Sequence, residues 1–185
     1  MAAEFALVVP ILLLFIFGIM DVGFYAWAIN QGEKATQFGA RYAVVTNMVP
    51  ADLAGYSFAS SGGISQGTIV PASSFPGVTC TSTACTCKGS CAFGLTHDAA
   101  AFRGIADRMR KVKADIADEN IRIDYDWSGL GFAGDPNGPD VAPIVTVQLI
   151  NMEHRPLFSW VIGTVDLPEF AYSLTAEDSD GDVSH

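Results

Sequence analysis

Four cysteines fall in one short stretch, Cys80-x4-Cys85-x-Cys87-x3-Cys91, the densest group of reactive side chains in the chain. Such a cluster serves either as thiolates on zinc or as disulfides. Zinc sites typically pair their cysteines as C-x2-C, and the C-x-C and C-x3-C steps here miss that spacing, with no histidine inside the cluster. Oxidised pairs are therefore expected. Of the three connectivities, joining Cys85 to Cys87 is the least favourable, because so small a ring strains the bond; the other two stay open. Ser65, in Gly63-Ile-Ser-Gln-Gly67, formally matches the nucleophile elbow G-x-S-x-G. That elbow needs a buried strand before the serine and a helix after it. Here Ser-Ser-Gly-Gly precedes and Thr-Ile-Val-Pro follows, so a plain loop is expected. His97, His154 and His185 are scattered without metal-ligand spacing. Asp135, Asn137 and Asp140, and also Asp178, Asp180 and Asp182, carry oxygen ligands of the kind calcium prefers, yet neither group has the Gly and Glu spacing of a calcium loop. No catalytic residue, metal or cofactor is expected.

The elements that position these side chains start with an apolar segment. From Phe5 to Met20 every residue is apolar, glycine or proline, and after Asp21 the run resumes to Ile29. About 25 residues of helix span about 37 Å, enough to cross a hydrocarbon core of about 30 Å with tilt. Good helix formers and small residues follow as far as Val45, and one helix is expected from about residue 3 to about residue 47. A secretory signal peptide would show a basic start and a shorter apolar core, whereas the first cation here is Lys34. Met1 is accordingly a poor translation start, and a basic leader is expected upstream. Glu4 is the odd residue: a carboxylate at the head of such a helix costs about 2.5–3.5 kcal/mol in lipid. The chain has 185 residues, 20 Asp plus Glu against 10 Lys plus Arg, and a formal charge of −10. This balance argues against nucleic acid and anionic lipid as partners, since both require clustered cations.

Three stretches together carry a resemblance: Ala2-Ala-Glu4-Phe5-Ala-Leu-Val-Val-Pro10-Ile-Leu-Leu-Leu14, then Gly18-Ile-Met-Asp21-Val-Gly23, then Gly39-Ala-Arg41-Tyr-Ala43-Val44. The chain resembles the TadE/TadG-like minor pilins of the tight-adherence (Flp) type IV pilus machinery, strongly over about 45 residues. The Val145-Thr-Val147 strand, Arg155-Pro-Leu157 and Ala-Glu-Asp at 176–178 resemble that family more weakly. The resemblance implies a prepilin cut by a prepilin peptidase, with Glu4 near the new N-terminus; in such proteins the glutamate is usually fifth, and here it is fourth. It also implies an inner-membrane subunit that later joins a pilus at the cell surface, with other pilin-like subunits as partners. Assembly residues would be Glu4, Phe5, Pro10, Gly18 and Gly23. Pro10 removes one helix hydrogen bond, and the glycines lower bulk. Ala28, Gly32, Ala35, Gly39 and Ala43 form small steps of three and four residues that admit another backbone closely. The same row would equally suit packing against the chain's own globular part.

Beyond Pro50 a stretch poor in charge and rich in Gly, Ser, Thr and Pro reads as loops with short strands as far as about His97. From Asp98 to Asp118 an amphipathic helix of about five turns is expected from Phe102, Ile105, Met109, Val112 and Ile116, capped by Thr96 or Asp98. Arg103, Arg108, Arg110, Lys111 and Lys113 lie on or beside it and read as a solvated face rather than a docking patch. Strands are expected around 121–128, 144–150 and 166–175, the last an edge with Pro168 near its start. Leu157–Ile162 reads as an apolar turn. The fold class expected is α+β, with residues 1–49 as the assembly helix and 50–185 as an extracytoplasmic domain carrying the cysteine loop 80–91. The function expected is that of a non-enzymatic pilin-like subunit supporting adhesion. The shortness usual among major pilins points to a minor component. The rival is a signal-anchored extracytoplasmic binding protein that never polymerises.

Overall fold

A computed structural model describes residues 2–136, 138–159 and 163–176, with side chains from Phe5 onward. Helix α1 (Ala2–Ala43) is continuous over 42 residues and carries Pro10 within it. It stops short of residue 47. The Val44 and Val45 N–H groups still donate to the Ala40 and Tyr42 carbonyls, but Met48 and Val49 then turn into the core, 2% and 0% exposed. A β-branched Val-Val-Thr run ahead of buried apolar residues favours that departure over another helical turn.

A short helix, α2 (Ala51–Ala54), precedes the hairpin of β1 (Val78–Cys80) and β2 (Cys85–Cys87). Helix α3 (Ala99–Arg110) follows, then β3 (Ile121–Asp126) and β4 (Ile144–Leu149). Two short strands, β5 (Glu153–His154) and β6 (Val165–Asp166), form a separate pair, and β7 (Phe170–Thr175) closes the order. The main sheet runs β2-β1-β3-β4-β7 and is antiparallel throughout. The class is α+β, as the sequence indicates. Alternation in β3 and β4 directs Ile121, Ile123, Tyr125, Val145, Val147 and Leu149 into one core. The second half of α1 lies against β4, β7 and α3. Contact there is close: a Cβ on Gly39 would sit 2.8 Å from Met109 Cγ, and one on Gly32 would sit 2.4 Å from the Phe170 ring.

Two expected elements differ in extent. Helix α3 begins under the Asp98 cap, whose Oδ1 accepts the Ala100 and Ala101 N–H groups at 2.8 and 3.0 Å, but it ends at Arg110 rather than near Asp118. Phe102, Ile105 and Met109 are buried from the helix, whereas Ile116 reaches the core from the turns beyond it. Arg110 folds that segment back, donating from Nε to the Ile116 carbonyl at 2.9 Å and pairing with Asp118. The strand expected over 166–175 is two strands in different sheets. Pro168 supplies no N–H to a ladder, and the chain changes partner there: the Leu167 N–H goes to the Met152 carbonyl, and β7 starts at Phe170 as an edge.

The cysteines form Cys80–Cys85 and Cys87–Cys91. The β1–β2 register sets Cys80 opposite Cys85. Inside the ring closed by Cys87–Cys91, Lys88 reaches Asp126 at 2.7 Å and Asp124 at 3.1 Å, tying the hairpin to β3. Burial alone would lower the pKa of the Lys88 ammonium, but the hydrogen bonds to the two carboxylates more than offset that and raise it. Peptide mapping without reduction should return the 80–85 and 87–91 linkages. Replacing either pair by serine should cost about 2 kcal/mol by the loop-entropy model, read from denaturant unfolding in detergent.

Tyr125 ties the helix exit to the sheet. Its side chain is fully buried, and its hydroxyl accepts the Val49 N–H at 3.0 Å. Burial, and to a lesser degree the Asp98 charge, pushes the phenol well above the usual tyrosine range, outweighing the Val49 hydrogen bond. A raised folded value means that the fold favours the neutral phenol. That contribution is complete below about pH 10 and is lost as pH rises through the raised value. In an alkaline titration followed by tyrosinate absorbance, Tyr125 should ionise only as the body unfolds. Tyr125→Phe should cost about 1–3 kcal/mol by orphaning the buried Val49 N–H.

Candidate functional site

The residues available for contact outside the chain concentrate on the first half of α1. Phe5, Leu7, Ile11, Leu14, Phe15, Ile19 and Val22 are all more than 60% exposed, and Trp27 is 59% exposed. With Leu12, Leu13, Ile16, Phe17 and Met20, which are 38–54% exposed, these side chains point in every direction around the axis, so no single face hides them. Among the described residues one helix, within Phe5–Ala43, is long and apolar enough to cross a membrane, and none of its most apolar window is buried. Glu4 lies in the first turn of this helix, and its side chain falls outside the described residues.

Glycines divide along the same line. At Gly18 and Gly23 an added Cβ would meet nothing within 4 Å, whereas at Gly32 and Gly39 it would strike Phe170, Met109 and Val147. The small residues Ala28, Gly32, Ala35, Gly39 and Ala43 are all buried against the chain's own body. Gly18 and Gly23 lower helix stability by about 1 kcal/mol each relative to alanine, and no packing among the described residues accounts for them.

Where the projecting helix meets the body, β5, β6 and their flanks form a collar. Asp21 Oδ1 accepts the Leu157 N–H at 2.7 Å. The Phe17 and Phe158 rings meet edge to face at 5.9 Å, and Tyr25 and His154 do so at 5.7 Å. The Tyr25 hydroxyl donates to the Asp166 carbonyl at 3.4 Å. Asp21, the one charged residue in the apolar run, is thereby held by a backbone donor. Neither this capping contact nor the collar was visible from spacing, because the partners are 136 and 141 residues apart.

Other residues singled out by type resolve into structural roles. Ser65 stands in an exposed turn, where its carbonyl accepts the Thr68 N–H at 3.1 Å; no strand leads into it and no helix leaves it. His97 Nε2 lies 2.9 Å from the Thr81 carbonyl. Asp140 is buried, and its carboxylate accepts the Phe58 and Asp135 N–H groups at 2.6 and 3.1 Å, bridging two loops. Asn137, Asp178, Asp180, Asp182 and His185 lie outside the described residues. Among the described residues no cluster of His, Cys, Asp and Glu has the arrangement of a metal site. Of the cations near α3, Arg108 stacks over Tyr42 at 4.9 Å, Arg110 pairs with Asp107 and Asp118, and Lys113 pairs with Asp115 at 2.8 Å. Arg103 and Lys111 are exposed.

A protein-family model described as TadE, TadE-like protein, matches residues 1–41. The head of this chain is similar to TadE-like proteins. That match takes in the whole exposed half of α1 and nearly all of its buried half, and leaves the rest of the 185-residue chain uncovered. No curated protein and no solved structure matches the chain.

The two sets of glycines should respond oppositely to substitution. Gly18→Ala and Gly23→Ala should leave the thermal unfolding of the detergent-solubilised protein unchanged or slightly raised. Gly32→Val or Gly39→Val should destabilise it by about 1–3 kcal/mol through overpacking against the Phe170 or Met109 side chain.

Proposed function

We propose that the protein is a non-enzymatic pilin-like subunit. It is held in the inner membrane by the first half of α1, with the body outside the cytoplasm, and is then drawn by that helix into a tight-adherence pilus or its initiating or tip complex. In this reading it is a minor component that supports adhesion, is processed by a prepilin peptidase, and has other pilin-like subunits as partners. The observation that carries the reading is the contrast along a single helix: Ala28–Ala43 is consumed by the chain's own core, while Phe5–Ile16 exposes apolar surface all round and Phe17–Trp27 does so away from the collar. Soluble monomers rarely leave a contiguous apolar patch of more than a few hundred Å² uncovered. Lipid before assembly and neighbouring helices after it would each cover this one. Gly18 and Gly23 fit the second state, because bare backbone lets another helix approach closely.

Within such a bundle Glu4 has the role of a buried carboxylate answered by the α-amine of a neighbouring subunit, and Phe5 and Pro10 shape the same end of the helix. A buried carboxylate left without a partner is strongly unfavourable, whereas a paired one is tolerable and fixes register. Glu4→Gln should therefore leave membrane insertion intact, since losing the charge lowers the insertion cost, but should abolish or sharply reduce recovery of the protein in sheared pilus fractions. Membrane fractionation alongside pilus recovery gives both readouts. Wild-type recovery of the Glu4→Gln protein in pili would remove Glu4 from the mechanism. A protein that always stays in the membrane fraction would instead be a signal-anchored binding protein.

A further inference from the structure

A groove of about 470 Å³ lies at the point where the helix leaves the body, between α1 from Asp21 to Gln31, the turn Val112–Asp115 and the collar residues His154, Arg155 and Leu157. Its position along the helix is informative. The stretch Phe5–Met20 is about 24 Å long and extension to Trp27 makes about 35 Å, so a hydrocarbon core of about 30 Å ends between Asp21 and Trp27. The groove opens at the level of the lipid headgroups.

Its chemistry is mixed in the way a headgroup is mixed. Phe24, Trp27 and Leu157 supply exposed apolar wall. Arg155 is exposed and has no acidic partner among the described residues. Lys113 is already committed to Asp115 at 2.8 Å. Asp21 uses Oδ1 for the Leu157 N–H and leaves Oδ2 without a partner among the described residues. A guanidinium and a carboxylate oxygen, both without a partner among the described residues, therefore line a single apolar-walled groove. An anionic headgroup would answer only the arginine and would face a chain of net charge −10. An apolar helix from a second copy would leave both charges unanswered, which is costly.

We infer that this groove binds the headgroup of a zwitterionic phospholipid bearing a primary amine, with its phosphate on Arg155 and its ammonium on Asp21. Arginine suits the phosphate because its planar fork donates two parallel hydrogen bonds. The ammonium donates to Asp21 Oδ2, which a quaternary amine cannot do. Phe24, Trp27 and Leu157 then lie along the glycerol and upper acyl region, where aromatic side chains are favoured. The inference rests on the membrane-anchored state proposed above and adds a lipid class to it.

The full-length chain in nanodiscs of equal phosphatidylethanolamine, phosphatidylcholine and phosphatidylglycerol, released for native mass spectrometry, tests the assignment. The wild-type protein should retain phosphatidylethanolamine over either other lipid by about fivefold or more, an effect of the size expected from one exposed charge-assisted contact. Arg155→Gln should lose that adduct. Asp21→Asn, which keeps an oxygen for the Leu157 N–H, should retain lipid but no longer prefer the primary amine. Equal retention of the three lipids by the wild type, or an unchanged pattern in Arg155→Gln, would overturn the inference. Flotation with vesicles of the same composition reads anchoring separately: floating without headgroup preference leaves the anchored state standing and removes only the groove's role, whereas failure to float removes both.

Discussion

Everything in this molecule depends on the close packing of one helix face that lacks side chains. Gly32 and Gly39 let α1 approach the sheet until Phe170, Met109 and Val147 occupy the space a Cβ would need. That approach brings Ala35, Ala40 and Ala43 into a dry core with β4, β7 and α3. Helix α1 is therefore both the hydrophobic rod that leaves the body and a wall of the body's core. Among the described residues the sheet has no other long helix to cover it, since α3 has only 12 residues.

The same packing explains which parts of the architecture were legible in the sequence. The apolar run, the alternating β3, the β4 strand and the buried spacing of Phe102, Ile105 and Met109 are local patterns with periods of 3.6 or 2, and such patterns survive in the structure. The oxidised cysteines were legible from spacing, although their pairing was not. It became definite only through the β1–β2 register that faces Cys80 with Cys85. Helix ends were misjudged wherever tertiary packing decided them. Met48 and Val49 draw the chain off α1, and Arg110 folds the segment after α3 back on itself. The similarity of the first 41 residues to TadE-like proteins was legible because it resides in side-chain types along one helix, whereas the collar was not, because it joins residues more than 130 positions apart.

Charge placement follows a single logic in both regions. Inside the body, Asp124 is buried but answered by Thr79, Gln148 and Lys88, and Asp140 is answered by two backbone N–H groups. On the rod, Asp21 is answered by the Leu157 N–H. Each carboxylate removed from bulk water has a donor, as the cost of burying charge requires. The collar can thus be regarded as the part of the body that makes a charged residue tolerable inside an apolar helix.

Continuity of α1 from Ala2 to Ala43 has a geometric consequence. With about 100° of turn and about 1.5 Å of rise per residue, the azimuth of Glu4 about the helix axis is locked to the azimuth of the cysteine hairpin on the far side of the body. Insertion or deletion of a single residue between Phe5 and Ile16, ahead of the collar contacts, would leave the hydrophobicity of the run and the fold of the body in place, yet swing one end against the other by more than a quarter turn. The spacing within the apolar run therefore carries phase information: the number of residues sets the direction in which the body faces, independently of what those residues are.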